Sequence, residues 1–279
     1  MKYQFSFLTV LPFKGPESFD QIADSFYVAP FIGFVIGCLA GLIAYFLSLV
    51  FSPLLTGILT LGFLLLITGL HHTDGVFDFG DGLMAHGEPE RRLEVMKDLR
   101  IGVGGIGLGF IVLMTTFLSI SEIIKLSSPL YSLLIPESFR VDTLLEFFLT
   151  VPLIIRSLII AEVSAKLSMV VIAAAGKPAK KESMALTIIQ RMKNKGKFAI
   201  GIILSLLFLV PFQWIGIIGL LVGILVALLI NYISIKRFNG ITGDVMGATN
   251  DITRVATLLS IIAITKIICP CALGFRIPI

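Results

Sequence analysis

Seven apolar stretches dominate this chain, at residues 30–51, 54–70, 105–125, 147–174, 198–212, 214–235 and 255–272. Most approach the length of about 20 helical residues that crosses a hydrocarbon layer about 30 Å thick. In lipid each backbone N–H and C=O must find its partner within its own helix. The chain therefore reads as an all-α integral membrane protein, a polytopic bundle of about seven transmembrane helices. Only 14% of its residues are charged, against roughly 25% in a soluble domain. With no repeat, low-complexity tract or linker to mark a boundary, residues 1–279 read as one domain.

Two stretches need argument. The run at 54–70 is short, and 198–235 is interrupted by Pro211-Phe212-Gln213-Trp214. At about 1.5 Å per residue a single helix over 198–235 overshoots one bilayer, so a hairpin is expected there. The N-terminal MKYQFSFLTVLPFKG carries Pro12 and Lys14 and no small-residue cleavage site, and reads as a retained interfacial segment.

Basic residues orient the chain. With Lys2 and Lys14 inside, loop 71–104 (Arg91, Arg92, Lys97, Arg100), loop 175–197 (seven Lys and Arg) and loop 236–254 (Lys236, Arg237, Arg254) all fall on the cytoplasmic side. The outer connections, including the segment near 126–146 with Arg140, carry few. The net charge of +4 then records orientation and implies no nucleic-acid partner. A multi-pass plasma-membrane location with its polar islands on the cytoplasmic face follows. Cys38, Cys269 and Cys271 fit neither a disulfide framework nor a zinc site.

The first island, HHTDGVFDFGDGLMAHGEPERRLEVMKDLRIGVGG at residues 71–105, is what a lipid-facing span does not explain. On a helix, Asp74, Asp78 and Asp81 stand at i, i+4 and i+7 and share a face. Three such carboxylates repel one another unless solvated, protonated or bridged by a cation, and hard oxygen donors select Mg²⁺, Mn²⁺ or Ca²⁺. Gly75, Gly80 and Gly82 weaken the helix yet let a bulky ligand approach its backbone. A solvated helix end is the competing explanation.

Arg91, Arg92, Lys97 and Arg100 follow, then Ile-Gly-Val-Gly-Gly at the start of the next span. They form a phosphate clamp in one reading, with backbone N–H groups joining guanidinium and ammonium donors. In the other they pair with Glu88, Glu90, Glu94 and Asp98 along a surface helix. A later island, RFNGITGDVMGATND at residues 237–251, places Asp244 and Asp251 on one helix face with Gly247 and Ala248. That face forms either a ligand cleft or a close helix contact. His72 is a candidate base, with His71 and His86 behind it. Arg156, inside the fourth stretch, either helps hold a phosphate or snorkels to an interface.

FLTVLP near the N-terminus, D-G-x2-D-x2-D-G at Asp74–Gly82, R-R-L-E-x-M-K-D-x-R-I-G at Arg91–Gly102 and T-G-D-x2-G-A at Thr242–Ala248 together resemble the cobalamin synthase family, the adenosylcobinamide-GDP ribazoletransferases. The resemblance runs the length of the chain. It implies an Mg²⁺-dependent membrane transferase of the final step of cobalamin assembly, in which a hydroxyl of α-ribazole or its 5′-phosphate attacks the phosphorus attached to cobinamide and GMP leaves. On that chemistry Asp74, Asp78, Asp81 and Asp244 are metal candidates. Arg91, Arg92, Lys97, Arg100, Arg156 and Asp244 are candidates for holding substrate, and Asp78, Asp81 and His72 for catalysis. Besides the two substrates and the bilayer, a homo-oligomer or an assembly with other corrinoid enzymes is an expected partner.

Two other classes remain. D-F-G-D-G at Asp78–Gly82 is similar to the opening of the CDP-alcohol phosphotransferase motif, though His86 stands where an arginine follows and no G-x3-D-x3-D appears in place. That class, or an intramembrane prenyl transferase, also uses Asp-bound Mg²⁺. A cation transporter is disfavoured because the acids are expected on the islands and not at span centres.

Overall fold

The structure is a computed structural model and describes residues 2–13, 15, 18–134, 151–181 and 183–268. The outer segment with Arg140, Lys14, the pair Cys269 and Cys271, and the end of the 255–272 stretch lie outside them. The described residues are helical, with one isolated bridge between Pro178 and Ile241 and no strand.

The helices run α1 (Lys2–Leu8), α2 (Phe19–Asp24), α3 (Ala29–Ser48), α4 (Pro53–Ile67), α5 (His71–Met84), α6 (Pro89–Val95), α7 (Val103–Leu134), α8 (Leu153–Ala175), α9 (Met184–Met192), α10 (Lys195–Leu209), α11 (Gln213–Phe238) and α12 (Gly243–Ile268). α1 is tied down early: the Gln4 amide donates to the Ile22 carbonyl at 2.5 Å and to Ser25 Oγ at 3.2 Å.

α8 is the axis of the bundle. Apart from Glu162, Lys166 and three serines its buried stretch is apolar around the whole circumference, as suits a helix surrounded by others, and from Ser157 to Ala173 every residue is buried. α3 packs antiparallel on it through a seam of small residues. A Cβ added at Gly33 would lie 2.5 Å from the Glu162 carbonyl oxygen, one at Gly37 2.6 Å from Ile159 Cα, and one at Gly41 2.8 Å from Ile155 Cα. Glycine every fourth residue brings the backbones together, the usual means of helix association where lipid supplies no hydrophobic drive.

Four stretches are long and apolar enough to cross a membrane, Phe26–Ser48, Val103–Ser127, Leu153–Ala175 and Lys195–Phe238, and a fifth if α4 and α5 are taken together. That is fewer than the seven apolar stretches, for three physical reasons. α4 has 15 residues and is short alone. α12 carries Asp244, Asp251, Arg254 and Lys266 along its length. α10 and α11 are continuous in hydropathy but not in direction. Gly201 of α10 faces Val170, Leu209 clusters with Ile159 and Ile160, and Gly219 of α11 faces Ile160 again. The chain thus reverses at the 3₁₀ turn Val210–Phe212, as the overshoot argument requires.

α5 turns 94° from α4. Two successive left-handed residues, Gly69 (φ 62°) and Leu70 (φ 59°), make the corner. Five of its 14 residues are charged or histidine, so α5 is far more polar than the α4 helix it follows. The start of α7, α6 and the start of α12 pack against α5, and the end of α8 and the approach to α9 adjoin the start of α12. Ile241 N–H donates to the Lys177 carbonyl at 2.8 Å, and Ala179 N–H to the Ile241 carbonyl at 3.0 Å. The polar islands separated in sequence therefore share one end of the molecule.

Candidate functional site

α5 is amphipathic. His72, Thr73, Gly75, Val76, Phe79, Gly80 and Gly82 are buried, while Asp74 is exposed and Asp78 and Asp81 partly so. Gly75 permits the decisive contact: a Cβ there would lie 2.6 Å from the Asp244 carbonyl oxygen. The first turn of α12 is thereby laid against α5, and Asp244 joins the aspartates. Burial first, then the charges of Asp244, Asp74 and Asp81, push the Asp78 carboxyl up to about 7.

Asp81 has a second task. Its Oδ2 accepts from Gly102 N–H and its Oδ1 from Gly105 N–H, both at 2.7 Å. The glycine-rich start of α7 does bind an anion through backbone N–H groups, but the anion is this carboxylate. Asp81 thus pins α7 to α5.

The basic candidates divide. Arg92 donates to the carbonyls of Gly82 and Leu83 at 3.1 and 3.0 Å and to that of Gly87 at 3.1 Å, closing the C-terminal end of α5. Arg91 pairs with Glu94, and Arg100 with Asp98, both at 3.0 Å on the surface. For these two the surface-pairing explanation holds in this conformation, and such exposed pairs are weak, about 0–1 kcal/mol. Lys97 instead faces a cleft lined by Leu93, Met96, Lys180, Ser183 and Thr242–Asp244.

Arg156 is not brought to the site. It lies in the first turn of α8 with its Nε buried and without a hydrogen-bond partner among the described residues, whereas the islands adjoin the other end of α8, about 28 Å away at about 1.5 Å per residue. A phosphate held at the aspartates is out of its reach. His72 points inward as well: it is buried, with Nδ1 unpartnered, and nearby Lys166 and Arg254 add to burial in holding its imidazole well below the usual range. His71 and His86 are exposed.

What the sequence reading did not find lies directly beneath the aspartates. Glu162 and Lys166, in the middle of α8, are completely buried, so the acids are not confined to the islands. Arg254 forks onto Glu162 through Nε and Nη2 and reaches Asp251 Oδ1 through Nη1 at 2.7 Å. Lys166 Nζ donates to Asn250 Oδ1 at 2.7 Å and stands 3.8 Å from Glu162. Thr73 Oγ1 donates to Asp251 Oδ2 at 2.8 Å. Two acids and two bases balance, and their hydrogen bonds join α5, α8 and α12, which is what makes buried charge tolerable. Each of the four charged side chains thus has a partner within the network. The signal was present, since Glu162 and Lys166 stand at i and i+4 inside an apolar run.

Among the described residues no three His, Cys, Asp or Glu side chains converge tightly enough to hold a metal ion by themselves. The donor set nevertheless suits a hard cation. Mg²⁺ is commonly held by one or two carboxylates and completed by water and substrate phosphates, and the mutual repulsion at Asp78 is what such a cation would relieve.

The family model described as cobalamin-5-phosphate synthase matches residues 1–262. The chain belongs to this family. Among its relatives are proteins named adenosylcobinamide-GDP ribazoletransferase from Methanosarcina barkeri (35% identical, covering 92% of this chain and 89% of the relative) and Methanosarcina mazei (35%, covering 95% and 91%). Another of that name, from Thermococcus kodakarensis, is 32% identical over 93% of this chain and 96% of its own. No solved structure matches. The family match takes in both polar islands, Asp74–Asp81, Arg91–Arg100 and Asp244 included.

Proposed function

We propose that this chain is an adenosylcobinamide-GDP ribazoletransferase acting in the final step of cobalamin assembly, with seven crossings and its aspartate end at the cytoplasmic face of the plasma membrane. A hydroxyl of α-ribazole or its 5′-phosphate attacks the phosphorus attached to cobinamide. One P–O bond forms to the acceptor oxygen, the bridging P–O bond breaks, GMP leaves with the bridging oxygen, and the hydroxyl proton passes to a base. Membership of the family supports the activity. The single observation that supports this site is Asp78, whose carboxyl is pushed to about 7 by burial and by three neighbouring carboxylates.

Asp74, Asp78 and Asp244 would hold Mg²⁺, with Asp81 at its edge. That cation supplies charge neutralisation for the pyrophosphate oxygens and the leaving GMP. The chain's own residues do the rest. Asp81 fixes α7 against α5, Gly75 lets Asp244 reach the cluster, and Thr73–Asp251 holds the register of α5. Asp78, the carboxylate most crowded by its neighbours, is the ligand whose ionised form the cation would stabilise most. His72 lies on the inward face of α5 and keeps the helix seated.

The test is release of GMP from adenosylcobinamide-GDP and α-ribazole by purified full-length protein in detergent or liposomes, with and without Mg²⁺. Mg²⁺-dependent release is expected, and folded protein that releases none overturns the reading.

A further inference from the structure

The cleft facing Lys97 is built by three parts of the chain: α6 and the turn that follows it supply Leu93, Met96 and Lys97, the approach to α9 supplies Lys180 and Ser183, and the turn and first residues of α12 supply Thr242, Gly243 and Asp244. Its volume is about 270 Å³. Pockets that engulf a drug-sized ligand run to roughly 300–1,000 Å³, so this one takes an arm of a substrate and not a corrin ring.

Its charge is the informative feature. The Lys180 ammonium sits beside that of Lys97. Among the described residues neither lies within ion-pair distance of a carboxylate, while Arg91, Arg100, Arg191 and Lys197 on the same end of the molecule all have such partners. Two ammonium groups held together repel, and Asp244 offsets only part of their charge. Ser183 Oγ accepts from Leu186 N–H at 3.1 Å, which leaves its hydroxyl proton free to donate. α9 begins at the cleft wall, and the partial positive charge of its first turn has the same sign as the lysines. Burial and the neighbouring Lys97 both hold the Lys180 ammonium below its ordinary range, a cost that a bound anion removes.

We propose that Lys97 and Lys180 form a phosphate subsite, in which the two ammonium groups and Ser183 hold a phosphate of one substrate beside Asp244 and the aspartate cluster. The subsite deepens the transferase reading and rests on it for the identity of the substrate. Two phosphates have the right chemistry, that of the GMP half of the activated corrinoid and the 5′-phosphate of a phosphorylated acceptor. The acceptor's 5′-phosphate is a bystander at the bond being made, and the GMP phosphate is the leaving group whose charge the lysines would hold; in either case they bind and orient and take no proton.

Lys180→Met, Lys97→Met and the double variant distinguish these sources, with Lys180→Arg retaining the charge. Hydrogen bonds to a charged group contribute about 1.5–3 kcal/mol, so KM for the phosphate-bearing substrate should rise about 10- to 100-fold. A rise confined to α-ribazole 5′-phosphate, with free α-ribazole unaffected, assigns the subsite to the acceptor. A rise in KM for adenosylcobinamide-GDP with either acceptor assigns it to the donor. Unchanged KM for all three in the double variant overturns the proposal. Thermal stabilisation of the detergent-solubilised chain by inorganic phosphate gives a readout that needs no turnover. Stabilisation of wild type and Lys180→Arg but not of the double variant supports the subsite, even if wild type fails to release GMP and the transferase reading falls. Equal stabilisation of wild type and double variant, or none in wild type, overturns it.

Discussion

Thr73 Oγ1 and Asp251 Oδ2 lie 2.8 Å apart, and through this one hydrogen bond the acid-bearing helix α5 is fastened to a network of buried charge. Asp251 in turn accepts from Arg254, which holds Glu162 on α8. The outward face of α5 carries Asp74 and Asp78; its inward face is anchored one residue away. Chemistry and support are thus adjacent in sequence and opposite in direction.

Arg254→Met should destabilise severely. It leaves Glu162 and Asp251 buried with the single ammonium of Lys166 to balance them among the described members of the network, and breaking a buried pair in this way costs about 3–5 kcal/mol. Unfolding in detergent, followed by thermal shift, should show the loss. Arg254→Met combined with Glu162→Met should recover part of it, because the second change removes an uncompensated charge.

Asp81→Asn and Asp78→Asn should part company. The first replaces an acceptor of two backbone N–H groups with a side chain that presents an N–H to one of them, a loss of about 1–3 kcal/mol in stability. The second removes a repelled carboxylate and should leave thermal stability equal or higher, while GMP release falls to background. An Asp78→Asn protein that retains wild-type turnover would remove the case for the aspartate site.

Stability should depend on pH through Asp78. Its carboxyl is raised in the folded protein from an ordinary 3.8 to about 7, so between those values the folded state binds a proton that the unfolded state has released. The sign of its contribution is then fixed: in chelator the stability due to Asp78 falls as pH rises from about 4 to about 7, opposite to the contribution of buried His72, and it is read as the difference between wild type and Asp78→Asn. Saturating Mg²⁺ should flatten that slope by stabilising the ionised form. Melting temperatures across the range, with and without Mg²⁺, measure both, and Asp78→Asn should flatten the slope without metal.

Gly37→Leu should prevent assembly of the bundle. Even a Cβ at this position meets Ile159 Cα at 2.6 Å, and α3 must then separate from the central helix. Folded yield in membranes is the measurement, and Gly62→Leu, where a Cβ has open space, is the matched control that should fold normally.

The hydropathy of this chain determined that it is helical and belongs in a membrane, and the spacing of Asp74, Asp78 and Asp81 determined that they share a helix face, because both are properties of local sequence. The reversal at Val210–Phe212 was legible for the same reason, from length alone. The number of crossings was less so: α4, α12 and the corner at Gly69-Leu70 differ from simple spans in direction and in charge, and neither is visible in a run of apolar residues.

What the tertiary structure decided is which charges have partners. Sequence grouped Arg91, Arg92, Lys97 and Arg100 as one clamp, yet three of them bind neighbours and the fourth meets Lys180 from a distant loop. Sequence placed Arg156 with the phosphate binders, and the length of α8 puts it at the far end. Glu162, Lys166 and Arg254 become a network only when α8 and α12 cross. Hydrophobic periodicity is written into successive residues and survives without the fold, whereas a charge takes its meaning from whatever lies within a few ångströms, and packing alone supplies that.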